Sequence, residues 1–249
     1  MTRRLLLLSL LAALLALAGC APAAPPAPTA VPSQTASPSP SPLPSATPTQ
    51  TPTATPSPTA TATALPEEHY IAPISGHKQY FPLGCEAAAA KDWANYFGYD
   101  FSEFEFQLRL PLSDNPEFGF VGDVRAPWGQ VPPYGYGVHA GPVADLLNAY
   151  GIPARAYKGY TIEQIKAKLA ADKPIIVWVI GNVEGGVPYE YTDKAGNKVI
   201  VAAYEHVIIL TGYNAERLRY MNNGKFYEVP YEVFLNSFAV LGNMVVVDE

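Results

Sequence analysis

From Ala21 to Pro66 the chain carries no charged residue, and fourteen of its 26 prolines fall in that stretch. Little there is apolar beyond alanine. Such a segment cannot bury enough surface to offset the entropy of ordering, so it reads as a disordered linker with polyproline II character. Fully extended at about 3.1 Å per residue, it would reach roughly 140 Å. Whatever folds must lie in residues 67–249, which is enough chain for one domain with a real core.

Ahead of the linker, residues 1–20 read MTRRLLLLSLLAALLALAGC. Two arginines, a leucine and alanine run and a small-residue end are the pattern of a secretory signal, too short and wrongly flanked for a stable spanning helix. It closes with Leu17-Ala18-Gly19-Cys20, which resembles the bacterial lipobox, in which the cysteine is acylated and becomes the mature N-terminus. We therefore expect Cys20 to be the lipid attachment site and the membrane to be a partner through it. The expected location is extracytoplasmic, lipid-anchored to the bacterial cell membrane. A formal charge of −6 argues against nucleic acid as a partner.

With Cys20 lipidated, Cys85 has no intramolecular partner and is the one cysteine of the folded part. A lone thiol in a compartment that permits disulfides is either hidden in a core or used. It stands at the start of a helix expected over Cys85–Phe97 and ended by Gly98, with Ala90, Trp93, Ala94 and Phe97 on the buried face. The helix N-terminus favours thiolate, whereas Glu86 beside it opposes ionisation, so a base is still needed. Gln79, six residues upstream, offers an amide to a developing oxyanion.

A second helix is expected over Ser102–Leu110, with Ser102 as N-cap and Glu105 closing a capping box. Residues 111–140 form a long loop rich in Gly, Pro and aromatics. Trp128, Tyr134 and Tyr136 are candidates to line a groove for an extended ligand, or simply pack over the core. A helix at Pro142–Tyr150, a strand at Ala154–Lys158 and a helix capped by Thr161 follow. Strands are then expected at Ile175–Ile180, Val199–Ala203, His206–Gly212, Arg217–Met221, Phe226–Val229 and Met244–Val247, with a short helix at Tyr231–Phe238. Residues 185–198 read as a polar hairpin. Helices first and strands later give an α+β fold, N-terminal helices packed on a C-terminal antiparallel sheet.

Four histidines compete for the role of base. His69 and His77 lie in the entry segment, where solvation or packing is the default, and His139 precedes a helix. His206 opens the apolar run Val207-Ile208-Ile209-Leu210, so a buried strand would fix its backbone while the ring sits at the strand's end. A hairpin turning near Asn214 returns the chain alongside His206 and brings Asn222 or Asn223 to its ring. A plain turn before Gly224 reads the same way. No His, Cys or Asp grouping has metal-ligand spacing, so neither metal nor cofactor is expected.

Gln79, Leu83-Gly84-Cys85-Glu86, Asn115-Pro116, Gly119-Phe120-Val121-Gly122, Tyr136-Gly137-Val138 and His206 opening VIILTGY together resemble the peptidase C-thirty-nine-like domains of the papain-like cysteine peptidases. These are related to the double-glycine leader peptidases. The resemblance covers most of residues 69–249. It implies a papain-like fold with Cys85 as nucleophile, His206 as base and Gln79 in the oxyanion hole. Where the family usually has Asp-Pro, this chain has Asn222-Asn223. The function so implied is a membrane-anchored cysteine peptidase or amidase acting on a peptide or cell-envelope substrate as a monomer. A tethered binding module without turnover and an acyl transferase on the same scaffold are the alternatives.

Overall fold

The computed structural model describes residues 64–249. The leader, Cys20 and the linker up to residue 63 lie outside the described residues. Fourteen elements follow in the order β1 (His69–Tyr70), α1 (Cys85–Tyr96), α2 (Glu103–Arg109), α3 (Ala140–Ala149), β2 (Ala154–Tyr157), α4 (Ile162–Ala170), β3 (Ile175–Ile180), β4 (Tyr189–Thr192), β5 (Lys198–Val201), β6 (Glu205–Tyr213), β7 (Arg217–Asn222), β8 (Lys225–Pro230), α5 (Tyr231–Ala239) and β9 (Val245–Asp248). The α+β expectation holds, with every pair in the main sheet antiparallel.

That sheet runs β2-β9-β3-β6-β7-β8, with β1 added beside β6. Its two central strands explain the arrangement. Every residue of β3 and β6 is buried, as befits apolar strands covered on both faces. The helices α1, α4 and α5 pack against these strands. Trp93 of α1 and Trp178 of β3 are fully buried, and each still satisfies its indole N–H: Trp93 donates to the Pro174 carbonyl at 2.8 Å and Trp178 to the Val138 carbonyl at 3.0 Å. A buried indole without such an acceptor would forfeit about 1–3 kcal/mol of desolvation.

Two expectations need correction. The segment at Val199–Ala203 is not part of the main sheet: β5 pairs only with β4, in a separate two-stranded sheet. Ile200 points to solvent while Val199 and Val201 close a small cluster with Val121 and Tyr136. The capping box at Ser102 is half formed, since Ser102 Oγ accepts from Glu105 N at 3.3 Å while Glu105 does not reciprocate. A complete box occurs instead at Thr161 and Gln164. The entry segment also holds a strand, β1, whose residues pair with Tyr213 and Gly212 at the far end of β6.

At the β7–β8 hairpin, Asn222 pairs with Lys225 across the two-residue turn Asn223-Gly224. Both turn residues have positive φ, 50° and 72°, the requirement of a type I′ turn and the reason Asn-Gly is favoured there. A Cβ on Gly224 would also meet the Gly76 carbonyl oxygen at 2.7 Å. The hairpin therefore lies directly against the entry segment that carries Gln79.

Candidate active site

Cys85 is the first residue of α1, 6% exposed, and lies behind Gly84 where the chain turns into the helix. Its thiol donates to Glu86 Oε2 at 3.3 Å. It makes no hydrogen bond to His206. Burial pushes the thiol pKa well above its ordinary value, and the nearby Glu86 and Glu205 carboxylates push it the same way. The Val207 backbone N–H partly offsets them.

His206 Nε2 lies 3.0 Å from Asn222 Oδ1. Because an amide oxygen only accepts, Nε2 carries the proton and Nδ1 keeps its lone pair. Burial lowers the ring's pKa below the ordinary histidine value, and the bond to Asn222 works against that. Asn222 Oδ1 also accepts from Asn223 Nδ2 at 3.0 Å, and Asn223 Oδ1 accepts from the Gln79 backbone N–H at 3.0 Å. Of the two asparagines that the sequence left open, Asn222 is the one bonded to the imidazole. Asn223 ties the hairpin to the entry segment.

Gln79 Nε2 donates to the carbonyls of Phe81 and Pro82 at 2.7 and 3.2 Å. Both amide hydrogens are thus committed within its own loop. Trp128, 39% exposed, donates its indole N–H to the Glu205 carbonyl at 2.8 Å. Its ring stands edge-on to His206, centroids 5.8 Å apart. Tyr136 is only 3% exposed and its hydroxyl faces His139 and the Ala202 N–H. It packs in the β5 cluster and lines neither hollow beside the site. The expectation of a groove residue is corrected at this position: a tyrosine in a Gly- and Pro-rich loop gives no sign of which way its ring turns.

Two hollows meet here. A narrow one of about 20 Å³, room for about one water, is lined by Cys85, His77, Gln79, Met221 and Asn222. A groove of about 380 Å³ is lined by Trp128, His206, Gln79, Phe81, Asn182 and Asn222. Gln79, Asn222 and Asn223 are common to both. Cys85 lines the first and His206 the second.

Two clusters escaped sequence reasoning. His77 Nδ1 meets Asp92 Oδ1 and Nε2 meets Glu103 Oε2, both at 2.6 Å. With a carboxylate at each nitrogen, the ring satisfies both only as imidazolium. Burial lowers its pKa, but the bonds to Glu103 and Asp92 outweigh that and the net direction is upward. The second cluster is Cys85, Glu86 and Glu205, whose donor atoms all lie within 4.8 Å of one another, the one such grouping among the described residues. Strand pairing and not sequence spacing brings Glu205 to α1 to complete it. Its donors are a thiol and two carboxyls with no imidazole, and Glu86 Oε1 is already held by the Val138 N–H at 2.6 Å.

The sequence profile of the Peptidase_C39 like family matches residues 69–244. Among solved structures, a Bacillus anthracis protein described as a C39-like peptidase has the same fold at a TM-score of 0.65 with 21% identity, over 74% of this chain and 98% of that one. Xylellain, a cysteine protease from Xylella fastidiosa, aligns at a TM-score of 0.43 and 15% identity, over 75% of this chain and 87% of its own. The peptidase domain of Streptococcus ComA, a bi-functional ABC transporter in a quorum-sensing pathway, aligns at 0.42 and 14%, over 70% and 98%. No curated protein matches by sequence. With most of the folded chain matched, this protein belongs to the Peptidase_C39 like family and has a papain-like α+β fold.

Proposed function

We propose that the chain is a cysteine peptidase or amidase in which Cys85 attacks a peptide or amide carbonyl. The observation that carries this reading is the His206–Asn222 bond, which fixes the tautomer with Nδ1 free to take a proton. As the sulfur–carbon bond forms, the thiol proton passes to His206 Nδ1 and the carbonyl π pair moves to oxygen. The Cys85 backbone N–H and, once turned from its loop carbonyls, the Gln79 amide stabilise that oxyanion. His206 then protonates the leaving amine, and water hydrolyses the thioester. Tightening of nucleophile and base on substrate binding is ordinary for such sites.

One observation favours the second reading, a binding module without turnover: the thiol is bonded to Glu86 and not to His206. Mass spectrometry of cuts in a peptide library decides. Cleavage by the wild type that vanishes in Cys85→Ala and His206→Ala supports the enzyme. Intact peptides that still bind support the module, and transfer to an added amine supports an acyl transferase.

We further infer that Cys20 is lipidated and holds the domain outside the cell membrane, on the support of the lipobox-like Leu17-Ala18-Gly19-Cys20. Several acyl chains at about 0.8 kcal/mol per buried methylene anchor firmly. Phase partition with Triton X-114 is expected to move the wild type into detergent and Cys20→Ser into the aqueous phase. Equal partition of the two would end the anchoring proposal.

A further inference from the structure

Glu86 and Glu205 are the carboxyls nearest the thiol, and the mechanism above uses neither. Glu86 is fully buried and Glu205 is 2% exposed. Both approach Gly137, where a Cβ would lie 2.3 Å from Glu86 Oε1 and 2.9 Å from Glu205 Oε2. The closeness of the two acids thus depends on a position with no side chain. Among the described residues neither forms an ion pair. Glu205 Oε1 is buried with no hydrogen-bond partner at all.

The groups facing this pair come from three elements. Cys85 belongs to α1 together with Glu86, and His206 follows Glu205 on β6 with its Nε2 bonded to Asn222. Tyr136 and the Val138 N–H come from the loop before α3. No lysine or arginine is among them. Two buried carboxylates this close, without a counter-charge, do not both ionise at neutral pH. Burial raises the Glu86 pKa to about 7, and burial together with Glu86 raises Glu205 well above the ordinary range.

We propose that Glu86 and Glu205 hold one proton and one negative charge between them, and that this acid pair keeps the resting nucleophile as a thiol bonded to carboxylate, not as a preformed thiolate–imidazolium pair. The thiolate then forms only as the carbonyl is attacked. The S–H proton goes to His206 Nδ1 while the sulfur lone pair makes the new bond, and the acid pair neither gains nor loses a proton. The inference rests on the reading of Cys85 as nucleophile. Alkylation by a small reagent nevertheless reports the thiol whether or not any peptide is cut, so the two can fail separately.

The test is the rate of Cys85 alkylation by iodoacetamide from pH 5 to 10, read on the full chain by peptide mapping. Expected is a rate that rises with a midpoint above that of a free thiol. At pH 7 it should be at least about tenfold slower than for glutathione, one pKa unit being tenfold in thiolate. Glu205→Gln and, independently, Glu86→Gln should lower the midpoint and speed labelling at pH 7 by about tenfold or more, whereas Glu205→Asp should keep the wild-type midpoint. A wild-type midpoint at or below pH 7 overturns the proposal even if both variants misfold. So do midpoints in the folded Gln variants that match wild type. Labelling that appears only after EDTA is added also overturns it, because the three donors would then be held by a metal ion and not by a proton.

Discussion

His206 and Asn222 are joined at 3.0 Å through Nε2 and Oδ1, and a neutral amide thereby does what a carboxylate does elsewhere: it chooses which imidazole nitrogen is free. It adds no charge, which suits a ring whose pKa is already lowered by burial. Asn222→Ala should leave the ring free to turn and lower kcat/KM by about a hundredfold, the lower range of positioned proton transfer. Asn222→Asp should keep activity and move the acidic limb of the pH–rate profile upward, because an added carboxylate raises the imidazole pKa. Steady-state kinetics across pH checks both. An unchanged profile in Asn222→Asp would detach this residue from the base.

Trp128 stands edge-on to His206 and is fastened to the Glu205 carbonyl. Trp128→Ala removes both an aromatic contact of about 0.5–1.5 kcal/mol and one wall of the groove. The expected result is a fall in kcat/KM of up to about tenfold. Trp128→Phe restores the packing but not the hydrogen bond, so it should recover most of the loss. Kinetics on a cleaved library peptide measure the difference.

Between Asp92 and Glu103, His77 has a folded pKa above its unfolded value near 6.5. The proton therefore binds the folded state more tightly, and the stabilisation is complete below about pH 6.5. It fades as pH rises through the higher folded value. Thermal melts should show Tm falling on that alkaline side. His77→Gln should flatten the dependence, and a parallel curve in the variant would refute the assignment.

Gly137 has φ of +135° and would press a Cβ against Glu86 Oε1. Gly137→Ala should cost about 1–3 kcal/mol from backbone strain alone, with the carboxylate contact added. For a domain of this size that is a fall in Tm of several degrees. An unchanged melting temperature would mean that the loop yields without cost.

The α+β class, all five helices and the strand bearing His206 were legible in the sequence because burial periodicity and Gly punctuation set them locally. Asn222-Asn223-Gly224 read equally as a turn and as a site, and both descriptions hold because the roles fall on different residues. Glu205 looked like an ordinary acid ahead of a strand. Its proximity to Cys85 follows from sheet pairing and helix docking across some 120 residues, which no local pattern encodes. For the same reason His77 gave no hint of its two carboxylates, and β5, apolar on alternate residues, could not declare which sheet it would join.

β1 joins β6 at Gly212 and Tyr213, whereas His206 occupies the opposite end of that strand. Around the junction, Ile71 N–H donates to the Thr211 carbonyl, Arg219 Nη2 to the Ile71 carbonyl and the Tyr213 hydroxyl to the Pro66 carbonyl. At about 3.4 Å per residue, six residues of antiparallel strand separate this fastening from His206 by roughly 20 Å. A pull on the chain ahead of His69 is thus taken up by a cluster of bonds at one end of β6. The strand's far end, where the imidazole sits, lies beyond that cluster, so tension on the chain would strip β1 before it reached His206.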